Sequence, residues 1–438
     1  MPPKQKNHHH RHARLSQRIG ARLSNPSVWQ CLGPGLITGA ADDDPSGIAT
    51  YSQTGARFGF STLWTLWLTY PLMVAMQYVS ALIGRVTGEG LAANIRNRYP
   101  AAILYGIVAL LFIANTINLG ADIGAMGEAM TLLVGGKAFV WMIVIALLAL
   151  VLLVALSFHA YARLLKYLTL SLFAYVGVLF FVDIPWSDVV KSLVIPHIVW
   201  SRDYLTAIVA IFGTTISPYL FFWQASHEVE AQIAAQGEKP LKRAPSQAHV
   251  QLRRVKLDTL IGMALSNVVA FFIMLTAGAV LHSKGLTDIN SAAEAAKALE
   301  PIAGKFSSLL FAFGIIGTGM LAIPTLSGSA AYAVAETFNW PKGLDKQFFQ
   351  ASGFYGIVAL GTVLGILFNA VSINPMKALY WSAVLNGVIA IPLMVIIMLI
   401  ASNKSAMGRF RASPLLRTVG WLATLVMTLA FAGMVLTM

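Results

Sequence analysis

The chain is poor in charge and almost without cysteine. Only 11% of its 438 residues are Asp, Glu, Lys or Arg, against about 25% in ordinary soluble domains, which excludes a conventional solvated globule. A lone cysteine, Cys31, excludes a disulfide framework and a cysteine-rich metal site; it is expected to pack as a small apolar residue near the start of the first span. The short alternating segments of a membrane β-barrel are also missing. What the chain has in abundance is apolar residues, 57% of the total, with a mean hydropathy of +0.69. They recur in runs of about 20, the length an α-helix needs to cross a bilayer. The fold class is all-α and polytopic.

Eleven candidate spans fall at approximately 32–55, 62–84, 101–132, 138–159, 164–183, 204–235, 257–282, 305–337, 347–370, 376–402 and 415–437. With the N-terminus placed in the cytoplasm, 23 of the 31 Lys and Arg fall on cytoplasmic segments and the other 8 outside. This asymmetry predicts N-terminus in, C-terminus out, in the cell (inner) membrane. The net charge of +13 is then an orientation signal, and nucleic acid is not an expected partner. The basic tail, with His8, His9, His10 and His12, has no small-residue cleavage site and is expected to be a polar cytoplasmic extension over 1–30 rather than a signal peptide. A core of ten spans over 31–402 and a loop with an eleventh span over 403–438 complete the expected organisation. The segment 236–256 reads as a cytoplasmic loop, 283–304 as helix-forming chain along the outer surface, and 183–200 as an outer loop anchored by Trp186 and Trp200.

Two spans are interrupted. Span 1 carries "DDDPSG", with Asp42, Asp43 and Asp44 directly before Pro45; span 6 carries "FGTTISPYLFF", broken at Pro218. Proline removes a backbone donor and clashes with the preceding turn, so each span should divide into two half-helices. Spans 1 and 6 sit five apart, at matching positions of two five-helix halves (about 31–183 and 203–402), and paired broken helices mark a transporter binding site at the bilayer midplane. An aspartate there costs about 2.5–3.5 kcal/mol on insertion scales and is a functional candidate by default. A carboxylate beside freed carbonyls is a hard-cation site, and spans 1 and 6 hold no Lys or Arg to pair with it. Asp44 is the expected ligand; Asp42 and Asp43 are expected to line an outer vestibule or hold a hydrated ion. On span 6, Thr214 and Ser217 are candidates, although hydroxyls in membrane helices often bond back to their own helix.

The order GPG, a broken DP-containing first span, "TGEGLAANIRNRYP" after span 2 and the break in span 6 resembles the Nramp divalent-metal transporter family, over nearly the whole chain. The resemblance implies a LeuT-like fold of two inverted five-helix repeats, here with one extra span. It carries over Asp44 as the metal carboxylate and the backbone carbonyl of Thr214. The chain departs from the family pattern elsewhere. The family's span 1 asparagine is Gly47, its span 6 methionine is Ser217 and its span 6 histidine is Tyr219. Its span 3 acids fall at Asn118 and Ala121, with Asp122 and Glu128 as possible substitutes, and its span 9 arginines are absent.

Loss of the soft sulfur lowers the bias against hard ions, and small residues leave room for the waters that Mg²⁺ releases reluctantly. These departures resemble the Nramp-related magnesium transporters, in which transport is taken to be uncoupled from protons. The expected function is uptake of Mg²⁺ and/or Mn²⁺ by alternating access, with weak or no proton coupling, no enzymatic reaction, no cofactor beyond the transported ion, and a monomer in the lipid bilayer. Three alternatives stay open at this point: a proton-coupled Mn²⁺/Fe²⁺ symporter, a Na⁺- or H⁺-coupled organic-solute symporter of LeuT-like fold, and a non-transporting metal receptor. Beyond the break in span 6, His227, Glu228 and Glu230 are candidates for the exit path, and Asn386 on span 10 is a candidate for approach to the ion.

Overall fold

The computed structural model describes residues 34–156, 170–235, 237–369 and 374–437. Cys31, the histidines of the tail and the first part of span 5 lie outside these residues. Among the described residues there are helices and no strands. Span 1 is split into Pro34–Asp42 and Pro45–Phe58, and span 6 into Arg202–Thr215 and Pro218–Ala234. The unbroken spans are Trp64–Thr87 (span 2), Ala101–Val134 (span 3), Ala138–Ala155 (span 4), Ala248–Val280 (span 7), Ser307–Phe338 (span 8), Ser352–Phe368 (span 9), Pro375–Ser402 (span 10) and Pro414–Leu436 (span 11). The described part of span 5 ends in a short helix, Ala174–Val178.

Both breaks form where proline dictates. Pro45 and Pro218 each take the first turn of the second half-helix, where an amide has no intrahelical partner and the fixed φ of proline suits the helix. Asp44, in extended conformation, is the N-cap of the second half of span 1 and accepts from the Gly47 amide, which satisfies one of the donors that a helix start leaves open.

The helix of span 7 starts at Ala248, ahead of the span expected from about 257. The polar stretch "AHVQLRRVK" continues the apolar helix toward the basic loops, because Ala, Gln, Leu, Arg and Lys sustain a helix in water that a hydropathy criterion does not register. The 183–200 segment includes a helix, Trp186–Val194, that leaves Trp186 and Trp200 exposed. Residues 282–306 form a run of short helical turns.

Small residues let the spans approach closely. A Cβ on Gly35 would come within 2.7 Å of the Asp258 backbone, and one on Gly39 would collide with the Gly262 carbonyl; further along, Gly55 meets Met274 and Ala277. Residue numbers rise together in these pairs, so spans 1 and 7 run parallel. Span 1 and span 6 cross in opposite directions. The Thr38 hydroxyl donates to Gln224 on one side of the breaks, and Arg57 pairs with Asp203 at 2.6 Å on the other. Span 4 exposes Val144, Leu147, Leu148 and Val151 outward, the apolar surface a lipid-facing helix presents.

Candidate metal site between the two broken helices

The two breaks lie side by side at the centre of the bundle. A Cβ placed on Gly47 would sit 3.2 Å from Thr214 Oγ1 and 3.4 Å from the Asp42 carbonyl oxygen, so the missing side chain of Gly47 points straight at span 6. Asp44 is 1% exposed and sits beside this junction. Its Oδ1 accepts from the Ser46 hydroxyl at 2.6 Å and the Gly47 amide at 2.8 Å. Its Oδ2 accepts from Asn118 Nδ2 at 3.0 Å and from the Tyr219 hydroxyl at 3.3 Å.

Tyr219 also approaches the Ala41 carbonyl at 3.1 Å, so the span 6 tyrosine binds both the carboxylate and the last turn of the first half of span 1. The Asn118 carbonyl accepts from Ser382 of span 10 at 2.7 Å. Four elements thus hold one carboxylate. Asn118 was placed by the sequence only as a departure from the family pattern; the polar residues Asn115, Asn118 and Asp122 within one membrane span were the available signal.

The span 6 half of the site is neutral. Ser217 donates its hydroxyl to the carbonyls of Gly213 at 2.9 Å and Thr214 at 2.7 Å, the back-bonding that serine often adopts in membrane helices. The Thr214 carbonyl keeps a second lone pair. Gly213 is packed so closely on span 10 that a Cβ would strike Ala383 and Gly387. This contact sets Asn386, buried with neither amide atom hydrogen-bonded, beside the same turn.

Asp42 and Asp43 are not in an open vestibule. They are 1% and 6% exposed, and both face Ser266 of span 7, whose Oγ lies 2.6 Å from Asp42 Oδ2 and 3.2 Å from Asp43 Oδ1. Asp122 is fully buried one turn along span 3 from Asn118, against the Ser46 amide and within electrostatic reach of Asp44. Glu128 is elsewhere: it accepts from the Ala292 amide among the short helices of 282–306.

The three residues beyond the span 6 break do not converge. His227 stacks on Trp223, and Glu230 accepts from the Leu344 amide. Glu228 is 1% exposed and forms a 2.6 Å ion pair with Arg85 of span 2. Arg85, assigned by the sequence to a cytoplasmic loop, is in fact inside span 2 with a fully buried side chain, and it also reaches Glu238 at 2.7 Å. Gln224 links Glu228 at 3.1 Å to Thr38 of span 1. An unbroken polar chain therefore ties spans 1, 2 and 6 on the side that leads to the basic loops. Among the described residues no three His, Cys, Asp or Glu side chains share one metal-binding point, so an ion here would draw on one or two carboxylates with hydroxyls, carbonyls and water.

Two antiparallel broken helices around a buried carboxylate define a class of fold, the LeuT-like helical bundle. Solved structures share it. A manganese transporter from Eremococcus coleocola superposes with a TM-score of 0.72 at 19% identity, covering 93% of this chain and 87% of that one. Mhp1, a nucleobase-cation-symport-1 family transporter, gives 0.58 at 13% identity, with 93% of each chain covered.

Within this class the chain belongs to the Nramp family. Residues 35–437 match the family model described as natural resistance-associated macrophage protein-like. The divalent metal cation transporter MntH of Yersinia enterocolitica is 25% identical over 414 residues, which cover 92% of this chain and 94% of that protein.

Proposed function

We propose that this protein carries divalent metal ions, Mg²⁺ and/or Mn²⁺, across the cell membrane by alternating access, with weak or no proton coupling. The observation that carries the reading is Asp44, buried where two antiparallel broken helices meet, with Gly47 opening toward Thr214 and no Lys or Arg paired with it among the described residues. Asp44 supplies the charge; the carbonyls near Gly47 and Thr214 and the hydroxyl of Ser217, once it turns from its own helix, supply neutral oxygens. Pro45 and Pro218 keep those half-helices apart. All of these ligands are hard, and oxygen-only sites suit Mg²⁺ and Mn²⁺.

A Mn²⁺-selective, proton-coupled symporter is the second reading, favoured by the relatives, which are described as divalent metal cation and manganese transporters. Tyr219 argues against coupling, because a phenol with a pKa near 10 carries protons poorly at neutral pH. We place the N-terminus and the loops at 88–98 and 236–247 in the cytoplasm, the C-terminus outside, and take the monomer as the working unit.

Purified protein in liposomes loaded with a Mg²⁺ dye and a pH dye tests this. Entry of both ions without internal acidification is expected. Mn²⁺ entry with acidification and no Mg²⁺ signal would select the symporter instead.

A further inference from the structure

We propose that the break in span 1 holds a second divalent cation, at Asp42, Asp43 and Ser266, on the side of Asp44 that leads toward the basic loops. The proposal rests on the reading of Asp44 as the first ion site. Three oxygens from two elements meet here: Asp42 Oδ2 and Asp43 Oδ1 lie 2.6 and 3.2 Å from Ser266 Oγ. A hydroxyl has one proton to donate, so it can satisfy only one of these carboxylates at a time, and the other faces its lone pairs. Both lone pairs and carboxylates are ligands that hard cations accept.

A further observation points to a ligand. Asp42 Oδ1 is buried with no hydrogen-bond partner, in a residue 1% exposed. Asp122, 0% exposed, lies against the Ser46 amide within electrostatic reach of Asp44 and belongs to the first ion site. Among the described residues no cationic side chain pairs with Asp42 or Asp43; the buried arginine of this region, Arg85, is taken by Glu228 and Glu238.

Position gives the second ion a role. The first half of span 1 approaches from the Asp258 end of span 7, so Asp42 and Asp43 stand between Asp44 and that face. An ion leaving Asp44 passes to a carboxylate pair rather than to bare apolar wall, and an arriving second ion repels the first along the path.

Mn²⁺ binding to the purified full-length chain, followed by equilibrium dialysis and electron paramagnetic resonance, tests this. The wild type is expected to bind two equivalents, with line broadening from two ions close together. D42N/D43N should bind one equivalent without broadening, and S266A should weaken the second equivalent at least tenfold. D44N should retain one equivalent, at Asp42 and Asp43. A single equivalent in the wild type with no broadening overturns the proposal, as does a two-equivalent isotherm untouched by D42N/D43N. Unchanged stoichiometry in D44N, with one equivalent lost in D42N/D43N, would leave the second site standing and remove the Asp44 assignment.

Discussion

Replacing Arg85 by methionine should destabilise the protein by an amount that its surroundings set. The guanidinium is fully buried and bonds Glu228 at 2.6 Å and Glu238 at 2.7 Å. Glu238 is 18% exposed and keeps Arg254 at 3.0 Å, so its share of the loss is small, about 1 kcal/mol or less. Glu228 is 1% exposed and keeps only the Gln224 amide at 3.1 Å. Leaving such a carboxylate without its cation costs roughly 3–5 kcal/mol.

For a chain of 438 residues that corresponds to a fall of about 5 °C in Tm, read by intrinsic fluorescence in detergent. R85M/E228Q should recover most of it, because the stranded charge is gone and only neutral hydrogen bonds, each about 1 kcal/mol, are missing. Because Glu228 is joined through Gln224 to Thr38, R85M should also loosen span 1 from span 6. With the lone cysteine changed to serine, T38C should then react faster with a water-soluble thiol reagent. An R85M protein as stable as wild type, or a double variant no better than the single one, would refute the argument.

Two further outcomes are expected. Asn118→Ala removes a donor 3.0 Å from Asp44 Oδ2, and a hydrogen bond to a charged group is worth about 1.5–3 kcal/mol; the ion-free protein should lose stability of that order in a thermal melt, and Mn²⁺ affinity should fall at least tenfold in a calorimetric titration as the carboxylate loses its orientation. Gly47→Asn directs an amide toward Thr214, whose Oγ1 is 3.2 Å from the new Cβ. It displaces water from the site, and competition uptake should show Mn²⁺ favoured over Mg²⁺ about tenfold more than in wild type.

The breaks were legible in the sequence because proline acts locally: Asp44-Pro45 and Ser217-Pro218 each end one helix and start the next whatever surrounds them. The resemblance in these two stretches also led to the family that the comparison with known proteins establishes. The partners of the acids were not legible. Asp42 meets Ser266 from 224 positions away and Asp44 meets Asn118 from 74 away, separations over which no periodicity carries information. Arg85 misled for a related reason. At the end of an apolar run a lysine or arginine reads as a loop charge, and only the neighbouring span reveals Glu228 waiting for it. The start of the helix that carries span 7 was not legible because hydropathy registers the membrane, whereas the helix continues beyond it.

The central claim is that a divalent ion crosses the membrane by way of Asp44. Asn retains the size of the side chain and its approach to Asn118 and Tyr219 but removes the charge, so D44N in proteoliposomes is the most direct test. Uptake of Mg²⁺ and of Mn²⁺ should both fall to the rate of empty liposomes while the protein stays monodisperse. D44N vesicles that take up either ion at the wild-type rate would contradict the account.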